Sequence, residues 1–174
     1  MPLAVTHVLL TIIMVDLYRD YFTKHKKYFS MHTLFIAGIA GLLPDIDIPV
    51  KMLYELFNER VPTLLQHGMI THTLLLPLTF LVPAFILWKQ EKHKVAIAFF
   101  VIAFGAFFHL FLDWFIGGGA YEGVMWLFPF STTTFKLHIL KGLGISDWPM
   151  ALDAVILLGW LWHEDFKHKI RDYI

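Results

Sequence analysis

The stretch from Val95 to Ile116 constrains this chain more than any other. It is continuous apolar sequence with a single carboxylate, Asp113, near its end, and it is long enough to cross a hydrocarbon core of about 30 Å. Inside lipid a lone segment must satisfy its own backbone polar groups, which only a helix does. Other apolar runs repeat the pattern, separated by short charged or polar connectors. The spacing predicts helices over residues 2–22, 29–43, 69–88, 95–116 and 148–163. Pro77 and Pro83 fall inside the third, and Ser146 or Asp147 is placed to cap the last. Residues 50–60 alternate apolar and charged positions at helical spacing, as a short helix lying along an interface would. The expectation is an all-α, polytopic membrane bundle of about four to five transmembrane helices plus that interfacial helix, forming one integral membrane domain over 1–174.

Composition agrees. The chain is 57% hydrophobic and 16% charged, against about a quarter charged in an ordinary soluble domain. A formal net charge of zero gives no reason to expect a nucleic-acid partner. The absence of Cys excludes disulfides and thiolate metal sites, so a metal would have to be held by His, Asp and Glu. The start, Met1 to Val5, has no basic stretch and no evident cleavage site after its apolar run, and reads as a retained first helix.

Lys and Arg set the orientation. If the loop 24–27 is cytoplasmic, that side holds ten of them (Arg19, Lys24, Lys26, Lys27, Lys89, Lys92, Lys94, Lys167, Lys169, Arg171) and the other side four (Lys51, Arg60, Lys136, Lys141). The chain is thus expected in the cell's inner (cytoplasmic) membrane as a multi-pass protein, with its N-terminus and the Asp45/Asp47 turn on the extracytoplasmic side.

The polar residues inside the apolar runs then fall at one level. At 1.5 Å rise per residue, His7 stands roughly 22 Å above Phe22, Asp45 roughly 24 Å above Phe29 and His72 roughly 24 Å above Trp88. On the same count His109 and Asp113 are roughly 21 and 27 Å above Val95, and being four apart they share a helix face. His67 and His72 converge only if His67 lies off the helix. Each residue has a plainer reading alone. His7 could be a buried histidine bonded to a backbone carbonyl, Asp45 and Asp47 solvated turn residues, and Asp113 a helix-end carboxylate. Together at one depth they point to a cation, because ionised carboxylates near hydrocarbon are costly without one. Asp153 is a candidate for support or packing, and His138 in an outer loop has no assigned role. His25, His93, His163 and His168 read as solvated, and His32 lies at the wrong end. Asp16, Arg19 and Asp20 read as an interfacial charge cluster, and the aromatic loop around Trp126 as an interface belt.

These pieces, taken in order, resemble a known family. They are His7-Val8-Leu9-Leu10, Leu42-Leu43-Pro44-Asp45-Ile46-Asp47, His67-x4-His72, His109-x3-Asp113 and a glycine-containing loop ending Trp126-Leu127-Phe128-Pro129-Phe130-Ser131. The chain is similar from His7 to about Phe135 to the small inner-membrane proteins of the YdjM type, described as predicted membrane-bound metal-dependent hydrolases. It departs where the family often has a basic or imidazole residue after Asp-x-Asp (here Ile48) and His-Arg-Gly (here His67-Gly68-Met69). The His-x3-Asp element also looks like zinc-dependent phospholipase C and P1-type nuclease sites.

The resemblance implies a hydrolase. His7, Asp45, Asp47, His67, His72, His109 and Asp113 are the candidate ligands, enough for one or two divalent ions. Imidazole with carboxylate favours zinc, manganese or iron over calcium. Asp45, Asp47 and His72 are the candidate catalytic groups, a spare carboxylate taking the proton of a metal-activated water. The expected substrate is a phosphoester or phosphodiester of a lipid-like molecule at the outer face, and membrane lipids are the expected partners. Other hydrolase signatures are missing: no His-Glu-x-x-His, no Gly-x-Ser-x-Gly. The alternatives are a metal-binding transporter or sensor, and a non-catalytic scaffold stabilised by metal. A transporter predicts polar residues along the inner halves of the helices, where this chain is almost wholly apolar.

Overall fold

The computed structural model describes residues 4–23, 28–117, 123–137, 139–142, 144–145 and 150–168. The basic loop with His25, the glycines at 118–119, Tyr121, His138, the cap expected at Ser146 or Asp147, and the tail beyond His168 lie outside them. The described residues form helices, with one isolated bridge between Val124 and Phe135. Helix α1 runs Ala4–Tyr21, α2 Met31–Ala40, α3 Asp47–Leu56, α4 Leu75–Lys89, α5 His93–Ile116, the short α6 Ile139–Gly142, and α7 Met150–His168.

Helix α5 is the post on which α4, α2 and α1 lean. Val15, Leu34, Ala37, Ile97 and Val101 interlock α1, α2 and α5 in a buried apolar cluster. Two glycines let these helices come close. A Cβ on Gly105 would stand 2.5 Å from that of Ala40, and one on Gly41 would stand 2.8 Å from both the His7 carbonyl oxygen and the Thr11 Oγ1. Small residues at crossings are how membrane helices gain contact without a hydrophobic driving force.

Helix α2 stops at Gly41, as Pro44 requires, and a 3-10 turn over Pro44–Ile46 leads into α3. The pair bends by 57°. Helix α3 leaves Met52, Leu53 and Leu56, and Phe57 just after it, exposed alongside Lys51 and Glu55. The third predicted helix starts late. It was expected from residue 69, but residues 70–72 form a 3-10 turn and α4 begins at Leu75. Pro77 sits in the first turn of α4, where its missing N–H is no loss, and Thr73 Oγ1 accepts from the Leu75 N–H at 3.3 Å. His67 and His72 therefore both lie off the helix.

Among the described residues one helix, α5, is long and apolar enough to cross a membrane by itself, or two spans if the bent α2–α3 pair counts as one. The sequence expectation was four to five. Helices α1 and α7 fall short because each carries several charges, and α4 because it is 15 residues long.

The charges of α1 and α7 face each other. Arg19 reaches Asp16 Oδ1 at 2.6 Å and Asp20 Oδ1 at 3.1 Å, with Glu164 Oε2 at 3.9 Å. His168 Nε2 lies 2.9 Å from Asp20, and Trp160 donates to Asp16 at 3.0 Å. His163 is 3.3 Å from the Tyr21 hydroxyl. So the charge cluster expected of Asp16, Arg19 and Asp20 forms and is buried against α7, and His163 and His168 join it instead of lying free in solvent. His93 packs its ring 4.5 Å from that of Trp88. The aromatic loop folds back on α5, with Trp126 against Phe107 and Trp114.

Candidate metal centre

The start of α1, the end of α2, the turn before α4 and the end of α5 meet at one end of the bundle. That follows from the up-and-down order of the helices, and it delivers five side chains to one point. His7 Nε2 lies 3.4 Å from Asp113 Oδ1. His72 Nε2 lies 3.4 Å from Asp45 Oδ1 and 3.8 Å from Asp113 Oδ2. His109 Nε2 lies 3.6 Å from Asp45 Oδ1 and 3.3 Å from Asp113 Oδ2. The His7 and His109 rings stack at 3.8 Å with 19° between planes.

Those separations are the ones a metal imposes. Two ligands about 2.0–2.1 Å from a tetrahedral zinc stand about 3.3–3.4 Å from each other. The facing atoms also lack other partners. Asp45 Oδ1, His72 Nε2, His109 Nε2 and both Asp113 oxygens are buried without a hydrogen bond. Buried polar atoms normally find partners, so five converging orphans call for something shared between them.

The protonation pattern can be read from the outward nitrogens. His109 Nδ1 is 2.7 Å from the Gly41 carbonyl. A carbonyl only accepts, so Nδ1 carries the hydrogen and Nε2 turns a bare lone pair inward. The other side of His72 faces Asp47 and Thr71: its Nδ1 lies 3.1 Å from Thr71 Oγ1, which itself donates to Asp47 Oδ2, and 3.3 Å from that oxygen. A metal-bound imidazole is held this way when its second nitrogen donates to a carbonyl or carboxylate. Outside α4, burial alone would lower the pKa of His72, but the Asp45 and Asp47 carboxylates outweigh it and raise it to about 9. Three imidazoles and two carboxylates suit zinc, manganese or iron, and the residues present fit such an ion.

The seven predicted ligands divide. His7, Asp45, His72, His109 and Asp113 point at the common centre. Asp47 turns away from it: Thr71 donates to its Oδ2 at 2.7 Å, His67 Nδ1 lies 3.0 Å from its Oδ1, and it backs His72. His67 packs its ring edge-on to His72 at 4.5 Å and is the most open of the set, its side chain 32% exposed. Asp45, His67 and His72 still offer ligand atoms within 4.8 Å of one another, as do His7, His109 and Asp113. Side-chain exposure of 16% at Asp45 and 0% at His72 and Asp113 puts the mouth of the centre at Asp45 and His67.

Sequence reasoning missed Thr71 and the Gly41 carbonyl. Thr71 lay unremarked between two flagged histidines. A backbone carbonyl has no sequence signal beyond the glycine that lets it come close. Asp153 is buried on α7 and accepts the Thr6 hydroxyl, next to His7, at 2.9 Å on each carboxylate oxygen. At the far end, Asp16, His163 and Glu164, and Asp20, Glu164 and His168, are also spaced for an ion, but Arg19 already places a cation among them.

No curated protein and no solved structure matches this chain. A family model does, over residues 1–168, a span holding every residue of the centre, and the chain therefore belongs to the YdjM inner membrane protein family.

Proposed function

We propose that this protein is a membrane-embedded, metal-dependent hydrolase that cleaves a phosphoester or phosphodiester of a lipid-like substrate at the extracytoplasmic face. The observation that carries the proposal is the convergence of five buried donors at metal-ligand spacing, closed on three sides by helices and open past Asp45. A scaffold site would need no mouth. A cation pathway would need polar residues beyond the centre; α5 offers none there, its buried positions being Val101, Ala103, Gly105 and Ala106, while the Asp16 and Asp20 carboxylates of α1 are already held by Arg19.

His7, His72, His109 and Asp113 supply the donors that would hold the ion in this reading, with Asp45 beside them as the spare carboxylate; the donor set suits zinc, with manganese or iron as alternatives. When bound, it supplies Lewis acidity and a water acidic enough to be deprotonated near neutral pH. The chain does the rest. Asp45, the one carboxylate of the five that reaches the surface, accepts the proton. Asp47 keeps His72 in the tautomer that presents Nε2, and is itself fixed by Thr71 and His67. His67 and Asp47 are the groups available to a second ion at the mouth.

Multi-pass insertion follows from the same reading. The charges of α1 and α7 are paired with each other, while α7 turns Val155, Leu158, Trp162 and Phe166 outward. Both helices can therefore cross with their polar stripes hidden, and the excess of Lys and Arg at the opposite end supports a centre on the extracytoplasmic side.

The test is hydrolysis of a lipid phosphate by the purified protein in detergent, before and after chelation. Activity should vanish with the metal and return with zinc. Asp45→Asn, His72→Ala and His109→Ala should each lose it. Retention of activity and metal by all three variants would refute the mechanism.

A further inference from the structure

The far end of α1 repeats the features that mark the His7–Asp113 centre. Where α1 meets α7, Asp16, Asp20 and Glu164 bring three carboxylates together, their side chains 0%, 0% and 11% exposed. Among the described residues Arg19 is the one guanidinium or ammonium that pairs with them, and it favours Asp16 and Asp20; Glu164 Oε2 is 3.9 Å away. Lys167 stands to the side, over the Tyr21 ring. With neutral histidines the cluster keeps two negative charges beyond the one that Arg19 neutralises, and buried charge of that kind needs a partner.

Glu164 divides the cluster into two halves. On one side His168 Nε2 lies 2.9 Å from Asp20 Oδ2, and Arg19 lies 3.1 Å from both Asp20 Oδ1 and His168 Nε2, so that half is satisfied. On the other side Asp16, His163 and Glu164 offer ligand atoms within 4.8 Å of one another. Each of these three keeps one buried atom that makes no hydrogen bond: Asp16 Oδ1, which meets the Arg19 charge, His163 Nδ1 and Glu164 Oε1. The last two face each other at 3.4 Å, too long for a good hydrogen bond and close to the separation of two ligands on one ion. Behind them, His163 Nε2 is 3.3 Å from the Tyr21 hydroxyl. With its hydrogen on Nε2 and donated to that oxygen, His163 turns a bare Nδ1 lone pair toward the carboxylates. Trp160 fixes the other oxygen of Asp16 at 3.0 Å.

We infer that Asp16, His163 and Glu164 bind a second divalent cation, which clasps α7 to α1 at the end of the bundle opposite the His7–Asp113 centre. Its two charges balance the two that Arg19 leaves. Asp16 is nine residues from His7, about 14 Å along α1, so the two centres do not share an ion. One imidazole with two carboxylates is richer in oxygen than the first centre with its three imidazoles, and suits manganese where that one suits zinc.

The experiment uses the full-length protein in detergent, loaded with zinc, then exposed to manganese and washed free of loosely held ions. Native mass spectrometry counts each metal. The wild type should hold one manganese. Glu164→Gln keeps the shape, removes the charge, and should hold none, with zinc unchanged. His163→Gln, at a more open position, should do the same and serves if Glu164→Gln does not fold. His109→Ala should lose zinc and keep manganese. Electron spin echo on the manganese-loaded wild type should show coupling to the nitrogen of one imidazole, absent in His163→Gln. Manganese kept by both Glu164→Gln and His163→Gln, or lost from His109→Ala, would overturn the inference. So would a wild type that holds none, protons then balancing the carboxylates. Manganese held as described by a wild type that takes no zinc would keep this inference and sink the hydrolase reading.

Discussion

Asp47→Asn separates a carboxylate that binds the ion from one that steers a ligand. The change keeps size and shape and removes one charge. In the structure Asp47 receives the Thr71 hydroxyl at 2.7 Å and His67 at 3.0 Å, and stands 3.3 Å behind His72 Nδ1, while its oxygens avoid the common centre. An asparagine can still accept from one side, and exposed His67 can turn its other tautomer to the amide. What is lost is the negative charge behind His72. Removing such a partner behind a metal-bound imidazole typically weakens metal binding 10- to 100-fold, about 1.4–2.8 kcal/mol at 1.4 kcal/mol per decade. Asp113→Asn, which removes a donor at the centre, should cost more than that. Zinc affinity by competition with a chromophoric chelator, in detergent, gives the order: wild type tightest, then Asp47→Asn, then Asp113→Asn. Should Asp47→Asn bind zinc like wild type, the backing role is wrong. Should it fall as far as Asp113→Asn, Asp47 is itself a ligand.

Gly41→Ala should destabilise the protein and weaken zinc binding, although its backbone is helical and alanine would ordinarily gain about 1 kcal/mol there; overpacking against His7 and Thr11 at 2.8 Å costs about 1–3 kcal/mol, and thermal unfolding in detergent reads the sign. Arg19→Ala leaves Asp16 and Asp20 without their guanidinium and should cost about 3–5 kcal/mol, yet leave zinc affinity within a factor of two, since the two clusters sit at opposite ends of α1. Saturating zinc at 100 times its dissociation constant should stabilise the wild type by about 2.7 kcal/mol and His109→Ala scarcely at all; equal shifts would place the ion elsewhere. The native chain has no cysteine, so single-cysteine labelling in intact cells is unambiguous: Glu59→Cys should react with an impermeant maleimide and Glu91→Cys should not, and the reverse result inverts the topology.

Much of the centre was legible because lipid is an intolerant solvent. A histidine or aspartate inside an apolar run stands out, and a constant rise per residue converts its position into a depth. That is how His7, Asp45, His72, His109 and Asp113 could be matched before any contact was known. Direction was harder. Asp45 and Asp47 are two residues apart and look alike in sequence; only the 3-10 turn at Pro44–Ile46 decides that one faces the centre and the other the back of His72. The α1–α7 network was half visible, because the run at Asp16, Arg19 and Asp20 was apparent while its complement was split between Trp160 in an apolar helix and Glu164 and His168 in what reads as a charged tail. Residues 69–88 were read as one helix because hydrophobicity continues unbroken through Pro77, and hydrophobicity does not reveal where the backbone begins to coil.

His7 and Asp113 touch across the centre, yet they are separated by nearly two thirds of the chain. An ion shared between them ties off a loop of about a hundred residues, and a cross-link of that span restricts the unfolded chain by roughly 4–5 kcal/mol in the chain-entropy estimate. Many proteins obtain such a tether from paired cysteines, of which this one has none. Its tether would answer to metal supply and acidity instead of oxidation state. It would also form only after the last of the four contributing segments had entered the bilayer, making capture of the ion a mark of finished assembly.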